Sequence, residues 1–380
     1  MVDRGACELE FRDTNRARDL RGALRSLVEQ IGRDSISVMH VCGSHEQAIA
    51  RFGLREGFPE PLNVIMGPGC PVCVTDAPEV DEGVALVQQG VDVATYGDML
   101  RVPGTSVSLA DSRALTGGPG QPGRVHVVYS IDQAAELARK TRNELVFFAT
   151  GFETTAVTTA AAIVSGLPPN MSVLSAHKYI PPAMDIVART PGTRIEGFLA
   201  AGHAATITGW GLFRDFARRH RVPVVIAGFE PLDILAALVK LLGLIRDRDP
   251  VVANLYPRCV TKRGNRPAQL LLWRVFKPQE GRWRGIAPIP NGNLRLRDEW
   301  AYVDARRRFR IPETQVEPDR PSACICGQIM TGLASPTDCP LYATDCAPAT
   351  PIGACMVSTE GACRIWHEYG SRPAALGGAP

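Results

Sequence analysis

From residue 36 to about residue 250 this chain alternates short apolar runs with longer helical stretches, and that rhythm restricts its fold more than any other feature. The apolar runs fall at 36–41, 62–66, 91–95, 125–129, 145–149, 172–175, 195–200 and 222–227. Between them 45–52, 78–89, 131–141, 154–165, 182–189, 206–220 and 232–245 carry helical signals. Short strands alternating with helices build βαβ units and hence parallel sheets. Upstream, 16–31 sets Leu20, Leu24, Leu27, Val28 and Ile31 on one helical face. The stretch 101–123 is rich in Gly, Pro, Ser and Thr and reads as a loop or boundary. Beyond 250 the strand signals fade, and 266–276 reads as one more helix. The expected class is α/β: two Rossmann-like domains with small parallel sheets, at 36–123 and 124–250, and a third, irregular or helical domain made of 1–35 and 251–380. FATGFE at 148–153 and IAGFE at 226–230 echo one another as strand, Gly-Phe-Glu, helix. A recurring strand-to-helix turn accounts for the echo as well as a duplication does.

The second constraint is the placement of eleven cysteines. Three lie at 42, 70 and 73 and six at 324, 326, 339, 346, 355 and 363, while Cys7 and Cys259 stand apart. Met1–Arg12 lacks the apolar core of a secretory signal. The longest apolar stretch, 234–245, contains Lys240 and is too short to span a bilayer. The expected setting is therefore cytoplasmic, where thiols stay reduced and clustered cysteines signal metal or redox chemistry instead of a disulfide framework. A net charge of +3 argues against nucleic acid and against an anionic membrane as partners.

Cys42 closes an apolar run and precedes Gly43-Ser44-His45-Glu46 at the start of a helix. A helix N-terminus stabilises a thiolate, so the sequence predicts an activated Cys42, with His45 and Glu46 as proton acceptor or metal ligand. Cys70 and Cys73 form a Cys-Pro-Val-Cys pair after another run. Both sets belong at the carboxyl ends of parallel strands, where such sheets carry their sites. Soft thiolates suit iron, zinc or copper(I), and the pair can also cycle between dithiol and disulfide. A closed structural zinc site of Cys42, His45, Cys70 and Cys73 is the competing reading.

Six cysteines within forty tail residues, among Pro and Gly, are a metal signal. A [4Fe–4S] cluster needs four thiolates. One partition takes Cys324, Cys339, Cys346 and Cys363 and leaves Cys326 with Cys355; the other starts from Cys326 and leaves Cys324 with Cys355. Spacing does not choose between them. The gaps of 14, 6 and 16 residues in the first partition are wide for zinc, which prefers close pairs, and favour iron–sulfur, making the third domain an iron–sulfur domain.

Several longer motifs carry a resemblance. CGSHEQAIARFGLR, GPGCPVC, ATYGDMLRVPG, GFETT, SAHKYIPPAM and CPLYATDCAPATPIGACMVSTEGAC resemble the HypD family of hydrogenase maturation proteins, over about residues 36–369. The resemblance implies a scaffold that, with the small chaperone HypC, assembles the Fe(CN)2CO group of [NiFe]-hydrogenase. Its cyanide comes from HypE, and the finished unit passes to the hydrogenase large-subunit precursor. It also implies Cys42 as the ligand of a mononuclear iron carrying CN and CO. Cys70 and Cys73 become a disulfide-forming pair, Cys324, Cys339, Cys346 and Cys363 the [4Fe–4S] ligands, and Cys326 and Cys355 a second dithiol. That last arrangement resembles ferredoxin:thioredoxin reductase, so a cluster-dependent disulfide reductase is the alternative function. The free protein is expected to be a monomer. Family members often have His where Gln47 stands.

Other polar residues have plainer readings beside the functional ones. Glu153 begins a helix and caps it or contacts a partner. Thr154 and Thr155 share that ambiguity. His177 is a site candidate or a satisfied loop histidine. Asp98 and Arg101 position a partner or form a solvated loop pair. Glu230 reads as structural. There is no Walker A and no GxGxxG pattern.

Overall fold

A computed structural model describes residues 10–112, 121–311 and 323–370. The alternating pattern resolves into two parallel sheets. The first contains β1 (Ile36–His40), β2 (Leu62–Met66), β7 (Ile195–Ala201), β8 (Val224–Ala227) and β9 (Val252–Asn254), in the order β2-β1-β7-β8-β9. The second contains β3 (Asp92–Thr95), β4 (Val125–Val127), β5 (Leu145–Gly151) and β6 (Met171–His177), in the order β4-β3-β5-β6. Every pairing within both sheets is parallel. Counted within each sheet, the first winds as 2-1-3-4-5 and the second as 2-1-3-4, the doubly wound pattern whose crevice opens where the order reverses. In the first sheet that point lies between β1, which leads to Cys42, and β7, which leads to Gly202 and His203.

The expected boundary at 123/124 does not separate the sheets. The second sheet is nested inside the first, entered after β2 and left before β7. Alternation shows that strands exist but not which pair, and β1 finds its second neighbour about 160 residues downstream. The N-terminal helix Thr14–Ile31 also departs from its expected place beside the tail. Leu24 and Val28 pack with Leu235, Leu238 and Leu242 of the helix Pro231–Arg246, against the first sheet. Asp13 caps its start, accepting from the Arg16 N–H at 2.8 Å.

Two further departures are local. The helix expected at 206–220 is broken into Gly202–Thr208, a short turn at Trp210–Leu212, and Phe213–His220. Gly209 causes the break: it adopts φ 81°, and a Cβ there would lie 2.5 Å from the Gly264 nitrogen. After 250 the strands do not fade. β10 (Phe276–Trp283) and β11 (Ile286–Leu296) form an antiparallel hairpin beyond the correctly expected helix Arg266–Val275. Pro278, Pro288 and Pro290 had masked it, since proline demotes a strand reading. Phe276, Leu294 and Leu296 pack on Phe147 and Val173 of the second sheet. No helix among the described residues is long and apolar enough to cross a membrane.

Candidate functional site

Cys42 sits where β1 ends, as N-cap of the helix Gly43–Arg51, with only 7% of its surface exposed. The GPGC loop after β2 is pressed against it. Gly43 N–H donates to the Gly69 carbonyl at 3.1 Å, and any side chain on Gly69 would overlap the Cys42 backbone. The expected thiolate activation does not prevail. Burial pushes the thiol up to about 11; the N–H groups of His45 and Ser44 and the Ser44 hydroxyl pull the other way, and the Glu360 carboxylate adds to the rise. The dipole of a nine-residue helix and two N–H groups do not offset the lost hydration, so Cys42 is a protonated thiol until something positive meets it.

His45 and Glu46, expected to act beside Cys42, are both fully buried. His45 Nε2 donates to the Gly228 carbonyl at 3.0 Å, which leaves Nδ1 with its lone pair and no partner among the described residues. Burial, with His40 nearby, drops its pKa to about 3, so the ring is neutral and able to ligate. Its ring lies against Phe229, which stacks on the exposed His203 at 3.8 Å. Glu46 is instead saturated. Arg55 Nη2 reaches both its oxygens at 2.6 Å, His40 Nε2 lies 2.8 Å away, and Trp366 Nε1 donates at 2.7 Å. Burial would raise this carboxyl, but Arg55 and His40 outweigh it and hold it down at about 2. Glu46 therefore fixes the architecture behind Cys42 and has no lone pair to spare for a proton or a metal.

Cys70 and Cys73 form a disulfide across the short helix Pro71–Val74. It lies between three parts of the molecule. One core holds Cys70 and Cys73, Phe148 and Leu174 of the second sheet, and five tail cysteines, Cys326, Cys339, Cys346, Cys355 and Cys363. The helix carrying Cys73 packs directly on the helix Ala354–Val357 carrying Cys355. Arg284, at the hairpin turn, ties the hairpin to the end of the Cys73 helix, a role its sequence did not announce. Its N–H donates to the Val74 carbonyl at 3.0 Å, Nε to Thr75 at 2.8 Å and Nη2 to Pro103 at 2.6 Å. Its charge opposes the rise of the Cys324 and Cys355 thiols. A closed zinc site of Cys42, His45, Cys70 and Cys73 is incompatible with this arrangement, because two of its four ligands are bonded to each other.

The tail thiols surround one another. Burial raises Cys363, followed by the neighbouring Cys324, Cys346 and Cys339. Those are the other three members of the first partition. Cys355 is raised by burial, then by Cys363 and Cys324, and Cys324 by its hydrogen bond to Cys326 and then by burial. Among the described residues no three His, Cys, Asp or Glu side chains converge on a single metal ion. A [4Fe–4S] cluster asks for something else: four thiolates, each on a different iron, around a common void. Cys355 and Cys363, whose ionisation burial and the neighbouring thiols oppose, gather with Cys324, Cys339 and Cys346 into a set of soft sulfur donors of the kind such a group takes.

The remaining candidates are structural or peripheral. Glu153 is buried. One oxygen accepts the Ile180 N–H at 3.1 Å, the other has no partner among the described residues, and burial raises its pKa to about 7. It thus caps the helix Ile180–Arg189, the crossover from second sheet to first. His177 bonds Thr159 Oγ1 at 3.0 Å and is held neutral by burial. Asp98 and Arg101 do not pair. Asp98 accepts from Ser358 at 3.1 Å and Arg101 donates to the Ala349 carbonyl at 2.6 Å, so both anchor the tail. Glu230 caps Pro231–Arg246 in a capping box with Asp233. Cys259 is exposed, and Cys7 lies outside the described residues. Sequence reasoning missed Glu360, which accepts from Ser44 at 2.9 Å and touches Gly43. Its position inside the quoted tail motif was the available signal.

Residues 15–370 match the profile of the HypD family, described as the hydrogenase formation hypA family. The chain is 39% identical over 380 residues to the hydrogenase maturation factor HypD of Azotobacter vinelandii, covering 97% of each chain. It is 40% identical to the hydrogenase expression/formation protein HupD of Azotobacter chroococcum, covering 97% of this chain and 98% of that one. It is 39% identical to HypD of Rhizobium leguminosarum bv. viciae, covering 95% and 94%.

Proposed function

Because this chain belongs to the HypD family of hydrogenase formation proteins and is a hydrogenase maturation factor, we propose that it works with HypC as the scaffold on which the Fe(CN)2CO group is assembled, with Cys42 as the thiol that receives the iron. The observation that carries this reading is the packing of the Cys70–Cys73 disulfide between the Cys42 loop and the tail thiols. Iron is cargo here. Binding it displaces the proton that burial keeps on Cys42, and the Ser44 and His45 N–H groups already face the sulfur. His45 Nδ1, two residues past Cys42's neighbour and without a hydrogen-bond partner among the described residues, is a neutral donor of suitable softness.

Cys324, Cys339, Cys346 and Cys363 would hold a [4Fe–4S] cluster, which supplies electrons one at a time when bound. Release of cyanide from a thiocyanate carried by HypE needs two electrons and returns a thiol. This chain holds a two-electron store in its dithiols. A thiolate of the Cys326/Cys355 pair attacks the disulfide, one sulfur of Cys70–Cys73 leaves as thiolate, and the second tail thiol resolves the mixed disulfide. The tail pair ends oxidised and Cys70 and Cys73 end as a dithiol, with no net change in electrons. Cys326→Ala should keep four irons but fail to mature hydrogenase; full maturation by that variant would sink the exchange.

The packed disulfide also favours a second reading, an ordinary cluster-dependent disulfide reductase with a protein substrate. Infrared spectroscopy of the chain co-purified anaerobically with HypC separates the two. The scaffold reading expects cyanide and carbon monoxide stretches that disappear in Cys42→Ala. An iron-loaded, active complex without them would leave the reductase. After maturation the assembled unit passes, on the scaffold reading, to the hydrogenase large-subunit precursor.

A further inference from the structure

The tail covers Cys42 as well as presenting sulfurs. The segment 358–366 runs along the Cys42 helix and is fastened at two places. At the helix start, Ser44 Oγ donates to Glu360 Oε1 at 2.9 Å, and a Cβ on Gly43 would lie 2.6 Å from the Glu360 side chain and carbonyl. Still within the first turn, Trp366 donates to Glu46 at 2.7 Å; its ring faces Arg55, and with Ile365 it packs on Ala50 near the helix end. Ser358 holds the near end, donating to Asp98 and accepting from the Glu360 N–H at 3.2 Å. The segment is joined to the redox-active thiols as well. Gly361 lies so close to the Cys355 carbonyl that a side chain there would overlap it, and Cys363 falls between the two fasteners.

From this geometry we infer that residues 358–366 are a strap that closes over Cys42, with Glu360 and Trp366 as positioning residues that set how often the thiol can be reached. The reason is packing. Cys42 is nearly enclosed, its GPGC side is fixed by the close approach of Gly69, and the tail side meets the Cys42 helix through the Glu360 and Trp366 hydrogen bonds and the contact of Ile365 and Trp366 with Ala50, while Ala362 and Cys363 sit in the tail core. Of the two, the side fastened to the Cys42 helix by side-chain hydrogen bonds is the one that opens. Because the strap begins just after the helix of Cys355 and runs through Cys363 in the helix Ala362–Tyr369, rearrangement of the tail thiols moves the cover of the acceptor thiol.

The inference rests on the reading of Cys42 as acceptor, but access can be measured without iron, so the two fail separately. The experiment is alkylation of the cluster-loaded full chain by iodoacetamide under anaerobic conditions, with Cys42, Cys326 and Cys259 followed by peptide mass spectrometry. Glu360→Ala and Trp366→Phe should each speed Cys42 labelling by about tenfold, the effect of losing one hydrogen bond to a charged group on a local opening equilibrium. Cys326 should stay protected and exposed Cys259 should label at an unchanged rate. Glu360→Gln keeps an acceptor for Ser44 and should stay near the wild-type rate. Acceleration in Glu360→Gln equal to that in Glu360→Ala would mean the carboxylate charge acts on the thiol, and would overturn the strap. Unchanged Cys42 labelling in both Glu360→Ala and Trp366→Phe, or Cys326 rising together with Cys42, would overturn it as well.

Discussion

Two buried carboxyls with opposite fates show what single residues contribute here. Glu46 is ionised because Arg55, His40 and Trp366 all donate to it; Glu153 meets only backbone N–H groups, its own and that of Ile180, and no cation, so burial favours its neutral form. Breaking the first arrangement strands a charge, and Arg55→Met should cost about 3–5 kcal/mol in denaturant unfolding. The second is a pH effect. Glu153 goes from an ordinary 4.5 to about 7 on folding, so its contribution is complete below 4.5 and is lost as pH rises through about 7. Between those limits the wild type should lose about 3 kcal/mol relative to Glu153→Gln, which has no proton to release. Unfolding curves at pH 5 and pH 7.5 for both proteins check this, and parallel pH profiles would contradict it. Both carboxyls looked like site residues in the sequence. A Glu at a helix start reads the same whether it caps, pairs or reacts; only the surrounding donors tell these roles apart.

Among the elements, the turns that follow the strands matter most. β1, β2 and β7 each end in a glycine-containing turn at the same edge of the first sheet, and those turns build the Cys42 site. Gly69→Ala drives a methyl group into the Cys42 backbone. It should lower stability by about 1–3 kcal/mol and, on the scaffold reading, also abolish iron binding at Cys42. Gly209→Ala should cost a similar amount through its φ of 81°, yet leave iron binding intact, because its turn lies away from the site. Iron content of the complex with HypC alongside melting temperature separates the two cases. The strand-to-helix alternation was legible because each element is longer than its own period. The β10–β11 hairpin was not, since prolines interrupt its alternation and its partner is the second sheet. The Gly-Phe-Glu echo falls on the third strand of one sheet and the fourth of the other, so it is a recurring turn and not a trace of duplicated position.

For the molecule as a whole, the nesting of one sheet inside the other brings residues from four distant segments to one core. Lys178 is the polar pin of that assembly. Fully buried, it donates to Glu79 at 2.7 Å, Asn293 at 3.0 Å and the Arg282 carbonyl at 3.1 Å, joining the end of β6, the helix Ala77–Gln88 and the hairpin. Lys178→Met should cost about 3–5 kcal/mol by leaving Glu79 undercompensated. It should also raise proteolytic cutting within the hairpin, because the pin is the most deeply buried of the hairpin's charged ties to the rest.

The chain's own order of residues was enough for the α/β class, the position of eight of the nine parallel strands, the soft chemistry of its thiols and the family likeness. These are local properties: periodicity reports burial, and a cysteine is a sulfur donor wherever it lies. Only the tertiary structure decided that the sheets are nested, that Cys42 is kept protonated, that Glu46 is a support, that Arg284 ties the hairpin to the Cys73 helix and that Glu360 lies beside the Cys42 helix start. Each of those depends on which segments meet across a hundred or more residues. Such meetings are chosen by the packing of whole faces, and ionisation follows from the hydration that packing removes. No stretch of sequence read by itself contains either quantity.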